Sequence, residues 1–146
     1  MSQSRSSQSV RFSATDLTEA EILSRRPVWV ALSDLWLDTE LQDQDLDRIA
    51  RALHDSGYDR DTLDRILAEE IAPVVYRNLY SVAGVWTGFD PDWLCAEISR
   101  RLRTRGPIRA WLLRRRRAVM TGLIRNEWQA VLRRYDALAD AKDDSR

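Results

Sequence analysis

A chain of 146 residues, 44% hydrophobic and 32% charged, supplies one domain with its own core and leaves no room for two. One cysteine, Cys95, and one histidine, His54, exclude disulfide scaffolds, thiolate zinc cages and zinc fingers. The 23 basic and 23 acidic residues cancel overall but not locally: 9 Arg face 18 acids through Glu97, and 14 basic residues face 5 acids from Ile98 onward, about −9 and +9.

Met1 to Ala14 hold six serines and no apolar run, so a disordered start is expected rather than an export signal. The longest later apolar stretch, Pro27 to Leu32, is far too short to span a membrane. A cytoplasmic protein is expected, and 22 Arg against one Lys points to a GC-rich bacterial coding sequence. From there the pattern is all-α. Thr18 and Glu21 have capping-box spacing and predict a short helix to about Ser24. Pro27 suits the first turn of a second, Val28 to about Asp38, with Trp29 and Trp36 on one face and a central position. Leu46, Ile49, Ala50 and Leu53 mark a third helix, about Asp45 to Ser56, with Gly57 at the left-handed cap.

Asp59 or Asp61 caps a fourth helix, whose stripe from Leu63 to Leu79 keeps its period through Pro73 and predicts a kink rather than a stop. Val82 to Phe89 reads as a loop with two glycines and two large aromatics, Trp86 and Phe89. Asp90-Pro91 opens a fifth helix to about Arg103, with Trp93, Leu94 and Ile98 inward. After Gly106-Pro107 only Gly122 interrupts a long helix to about Asp140, roughly 50 Å if straight. Leu112, Val119 and Leu123 form one apolar seam on it, beside Leu113, Met120, Ile124, Val131 and Tyr135. The expected fold is a compact all-α bundle of about five to six helices with a long Arg-rich C-terminal helix, one domain over 15–140 and a frayed tail over 141–146.

Catalytic motifs are missing: no nucleophile elbow, no phosphate-cradling loop and no dinucleotide glycine fingerprint occurs. His54 fits an ordinary helix-end histidine and Cys95 a buried, inert thiol. Asp34 with Asp38, and Glu69 with Glu70, are the carboxylates able to approach a divalent ion, although pairing with arginines accounts for them as well; no cofactor is expected.

Two charged surfaces remain. Asp43, Asp45, Asp47, Asp55, Asp59, Asp61 and Asp64 line the outside of the third and fourth helices, and with Trp86 and Phe89 as aromatic anchors they fit a basic protein partner. Arg100, Arg101, Arg103, Arg105, Arg109, Arg114, Arg115, Arg116 and Arg117, with Trp111 among them, fit nucleic acid or an acidic protein. Neutralisation by the chain's own acidic half is the competing reading of those arginines, and zero net charge weakens any long-range pull on a polyanion.

The stretch Arg26-Pro-Val-Trp-Val-Ala-Leu-Ser-Asp-Leu-Trp-Leu-Asp-Thr-Glu40, then Ile71-Ala-Pro-Val, Asn78-Leu and Ala83-Gly-Val-Trp-Thr-Gly-Phe89, resembles a family of small bacterial proteins classed as a domain of unknown function, over about residues 26–98. The resemblance implies a helical bacterial domain and no particular chemistry. These features lead to the expectation of a non-enzymatic protein-binding module, such as an immunity protein or antitoxin that occludes a basic toxin or effector. The alternative is a nucleic-acid-associated protein using the Arg-rich region, and the opposed charges also allow a homo-oligomer.

Overall fold

The computed structural model describes residues 17–36, 40–79, 89–104 and 106–146, which are helical almost throughout, with no strand among them. The Ser-rich start, Asp38, Val85, Trp86 and Arg105 lie outside the described residues. Helix α1 (Glu19–Ser33) opens on the expected capping box: the Thr18 hydroxyl accepts the Glu21 N–H, and the Glu21 carboxylate accepts the Thr18 N–H at 2.7 Å. The two short helices expected on either side of Pro27 are one. Pro27 lies on the exposed side of α1, where water can bond the Leu23 carbonyl that loses its donor. Val28, Trp29 and Leu32 are fully buried, and a 3₁₀ turn at Asp34–Trp36 seats Leu35 and Trp36 in the same core.

Helix α2 (Asp43–Asp55) buries the predicted stripe of Leu46, Ile49, Ala50 and Leu53. Gly57 follows with a φ of 76°, the left-handed turn its position required. Helix α3 (Arg60–Arg65) starts on Asp59, whose carboxylate accepts the Thr62 N–H at 2.8 Å. It runs on through a π-helical stretch, Ile66–Ile71, into α4 (Ala72–Leu79). The Ala72 N–H bonds back five residues to the Leu67 carbonyl. That wider turn is how the helix passes the buried Pro73, whose ring would crowd the preceding turn of a regular α-helix.

Helix α5 (Pro91–Arg103) begins at the predicted residue, with Asp90 accepting the Trp93 N–H at 2.8 Å. Leu94, Cys95, Ile98 and Leu102 face the core. Trp93, expected inward, stays exposed: it lies about 100° round the helix from Leu94 and stacks on Phe89 with centroids 6.0 Å apart.

The Arg-rich C-terminal region is helical, divided at Gly122 into α6 (Pro107–Gly122) and α7 (Arg125–Asp144). Glycine weakens a helix interior, and here the two parts serve different neighbours: α7 packs along α2, while α6 packs on α4 and the π-helical stretch. The seam also differs from the expected one. Met120, Ile124, Trp128, Val131 and Leu132 enter the core, whereas Leu112, Val119 and Leu123 are exposed. Helix α7 continues four residues past Asp140, the predicted end, to Asp144, with the Ser145 hydroxyl bonded to the Ala141 carbonyl.

Candidate functional site

The acidic surface predicted on α2 and α3 is engaged by the basic half of the chain at three of its seven aspartates. Arg134 of α7 reaches Asp43 at 3.0 Å and Asp47 at 2.8 Å, and Arg117 of α6 reaches Asp64 at 3.3 Å. Asp64 also accepts the indole N–H of Trp128 at 2.9 Å. Asp45 closes the start of α2 by accepting the Gln42 N–H, and Asp59 caps α3, where two bonds from Thr62 hold its carboxyl below the usual range. Asp55 stands beside His54, and Asp61 is exposed in the first turn of α3. In the opposite sense, Arg60 of α3 pairs with Asp136 of α7 at 2.8 Å.

The predicted basic residues do not form one surface. Arg100 and Arg101 both bond Glu97, which lowers the Glu97 carboxyl, and Arg103 is exposed at the end of α5. Arg109 donates to the Thr104 hydroxyl at 3.4 Å. Arg115 lies over the indole of Trp111, its Cζ 4.5 Å from the ring centroid, while Arg114 and Arg116 are exposed.

Helix α6 presents a surface that neither charge pattern anticipated. Its inner side is formed by Ala110, Leu113, Arg117 and Met120. On the opposite side Ile108, Trp111, Leu112, Val119 and Leu123 are between 44% and 76% exposed. At 100° per residue, Ile108, Leu112, Val119 and Leu123 share an arc of about 60°, Arg115 and Trp111 adjoin one edge, Arg116 and Arg109 flank the other, and Arg114 lies about 60° beyond Trp111, toward the packed side. One helix therefore buries one apolar face and shows another to water, with arginines between. The signal was in the sequence: Leu113 and Met120 fall about 100° from the arc of Leu112 and Val119, so a single seam never accounted for both sets.

The interior holds one polar cluster that sequence reasoning also missed. Glu70, at the end of the π-helical stretch, pairs with Arg25 and accepts the indole N–H of the fully buried Trp29 at 2.7 Å. Arg25 lies over Tyr58, 5.7 Å from the ring centroid, and its Nε is buried with no acceptor. The Arg25 ion pair and the Trp29 indole both hold Glu70, and through it α1 to the α3–α4 helix.

The other reactive side chains are similarly committed. His54 sits edge-on to Tyr135, whose hydroxyl bonds the Tyr58 carbonyl at 2.8 Å. Cys95 is buried, and that burial pushes its thiol up, away from the nucleophilic thiolate. Asp34 is bound by Arg48 at 3.1 Å. Among the described residues no three His, Cys, Asp or Glu side chains gather in a metal-holding arrangement, and no helix is long and apolar enough to cross a membrane.

The family described as Domain of unknown function (DUF7079) matches residues 23–134. The match extends well beyond residue 98 and takes in all of α6 and half of α7, so the Arg-rich helix is part of the shared domain. No curated protein and no solved structure matches the chain.

Proposed function

We propose, for a chain that belongs to that family of unknown function, that it is a non-enzymatic protein-binding module whose contact surface is the outward face of α6. One observation carries this reading: five large apolar side chains stand exposed along one side of a helix whose other side is already packed. Contiguous apolar surface ringed by polar groups marks contact sites in soluble proteins, and Trp and Arg, side by side here as Trp111 and Arg115, are the residues most often central to them. Among concrete classes, a small protein that occludes a toxin or effector, as immunity proteins and antitoxins do, fits. Because Arg134 and Arg117 hold Asp43, Asp47 and Asp64, the occluding face of such a protein is α6 rather than the acidic side of α2 and α3.

A photocrosslinking residue placed at Val119 tests this in source cells, with one at Arg51, exposed on α2, as the control. A protein adduct at 119 and not at 51 supports the reading, and no adduct, or adducts at both positions alike, ends it. A second reading, nucleic-acid contact, rests on the exposed Arg114 and Arg116 at the flanks of α6. Salt-sensitive binding of duplex DNA or RNA, lost when both arginines become Gln, supports it, and no salt-sensitive binding at micromolar protein removes it.

A further inference from the structure

The binding reading leaves the chemistry of the partner open, and α6 constrains it. The face has three parts that an occupant must satisfy at once: an apolar centre of Ile108, Leu112, Val119 and Leu123, cationic flanks at Arg116 and Arg109 on one side and at Arg114 beyond Trp111 on the other, and the Arg115–Trp111 contact adjoining the apolar arc. No acid occurs between Gly106 and Asn126, a stretch with six arginines, so the chain has nothing local with which to neutralise those edges.

A phosphate backbone satisfies only the edges. It would hold four aliphatic side chains against a charged surface, where their removal from water gains nothing. A lipid surface satisfies the apolar arc and the edges but not Arg115. That guanidinium lies about 20° beyond Ile108, inside the roughly 120° that Trp111 and the four aliphatic side chains span together, so inserting all five would carry a charge below the interface with them. A second copy fails at the edges, because two α6 faces laid together bring Arg114, Arg115 and Arg116 of one against those of the other. A protein helix with an apolar stripe and carboxylates on both sides meets all three conditions. Its acids pair with the edges, its stripe covers the apolar centre, and one carboxylate reaches Arg115. Arg115 lies over Trp111 with no carboxylate within ion-pair distance among the described residues, so its guanidinium has N–H groups to offer one.

From this geometry we infer that the occupant of the α6 face is an acidic amphipathic helix of a partner protein, about four turns long, matching the roughly 22 Å from Ile108 to Leu123. The inference rests on the contact reading above and adds the identity of the partner's surface.

The test titrates the full chain with two designed peptides of about 18 residues sharing one Leu/Ile stripe, with flanking positions all Glu in one and all Lys in the other, and with vesicles containing about 30% anionic lipid. Saturable one-to-one binding of the Glu peptide is expected, at least about tenfold tighter than that of the Lys peptide and weaker at higher salt. Val119→Glu should abolish it and Arg115→Gln weaken it about tenfold, whereas Asp61→Asn, off the face, should leave it unchanged. Since Val119 and Arg115 are both exposed, unchanged melting temperatures show that either variant is folded, and each suffices without the other. Equal binding of the two peptides, no binding of the Glu peptide, preferential partition onto vesicles, or a concentration-dependent dimer lost in Val119→Glu each overturns the acidic occupant. Should the Val119 crosslinker still capture a protein in that event, contact through α6 stands and only the partner's chemistry is wrong. Failure of both experiments removes the two together.

Discussion

Val119 and Met120 are neighbours in sequence, yet 62% and 4% exposed, so truncating each to Ala asks directly whether α6 has the two faces on which the functional reading depends. Met120 lies in the main core beneath Trp36, whose indole N–H bonds the Met120 carbonyl at 3.4 Å and is unaffected by truncation of the side chain. Met120→Ala removes a buried side chain and leaves a cavity, a loss of about 2–4 kcal/mol. At roughly 3 °C per kcal/mol for a domain of this size, its melting temperature falls by about 6–12 °C. Val119→Ala loses a small amount of residual packing, of the order of 0.5 kcal/mol, and gains about as much helix propensity. Its Tm should stay within about 2 °C of the parent. Thermal melts followed by circular dichroism at low and high protein concentration measure both. A loss above about 1 kcal/mol for Val119→Ala at every concentration would mean that the outer face is packed within the free protein, and the proposed contact surface would not exist.

The Arg25–Glu70–Trp29 cluster predicts strong coupling: Arg25→Met alone leaves a largely buried carboxylate without its cation and costs about 3 kcal/mol, while adding Glu70→Leu recovers part of that loss, the remainder being the cost of the Trp29 indole N–H left without its acceptor. Urea titration with tryptophan fluorescence reads the cycle, and additive losses would show that the pair is not coupled. Glu21, Asp59 and Glu97 all have carboxyls held below their ordinary 4.5, 3.8 and 4.5 by hydrogen bonds from Thr18, Thr62 and Arg100. Their contribution to stability is complete above those ordinary values and is lost as pH falls through the lowered ones, so Tm should be flat from pH 7 to about 5 and drop below about 4. Gly57→Ala should cost about 1 kcal/mol through its φ of 76° alone, since a Cβ there meets nothing within 4 Å. A neutral result in melting experiments would place that turn in another conformation.

The capping chemistry was legible because it is local. Thr18 with Glu21, Asp59, Asp90-Pro91 and Gly57 each determine their own helix end within three or four residues; three stand where the sequence puts them, and of the two caps it offered for the next helix, Asp59 and Asp61, the chain uses Asp59. Proline was harder, because its effect depends on which side of the helix it occupies. Pro27 is on the solvent side and interrupts nothing, and Pro73 is inside and is absorbed by the π-helical stretch. Neither outcome can be read from the residue and its neighbours alone. The acidic and basic runs were visible as charge, but whether a carboxylate is free depends on contacts across 53 to 91 positions, as for Asp64 with Arg117 and Asp43 with Arg134. For α6 the difficulty was of another kind: periodicity reports how much of a helix is apolar, not how many of its faces find a neighbour.

Zero net charge bears on the binding reading in a specific way. Folding lays α7 along α2, and the ion pairs of Arg134 with Asp43, Arg117 with Asp64 and Arg60 with Asp136 join acids and bases of the two halves at short range. Exposed pairs of this kind stabilise the fold by little, well under about 1 kcal/mol each. Their larger effect is to offset part of the charge on the acidic side, while Arg114, Arg115 and Arg116 of α6 stay exposed and make no ion pair among the described residues. A polyanion approaching from solution then meets a neutral molecule, and the field that would steer it is screened within about 10 Å. Selection of a partner must occur at contact, where apolar shape and the spacing of a few carboxylates decide. On the proposed binding reading, the apolar arc of α6 therefore weighs more in the choice of partner than the number of its arginines.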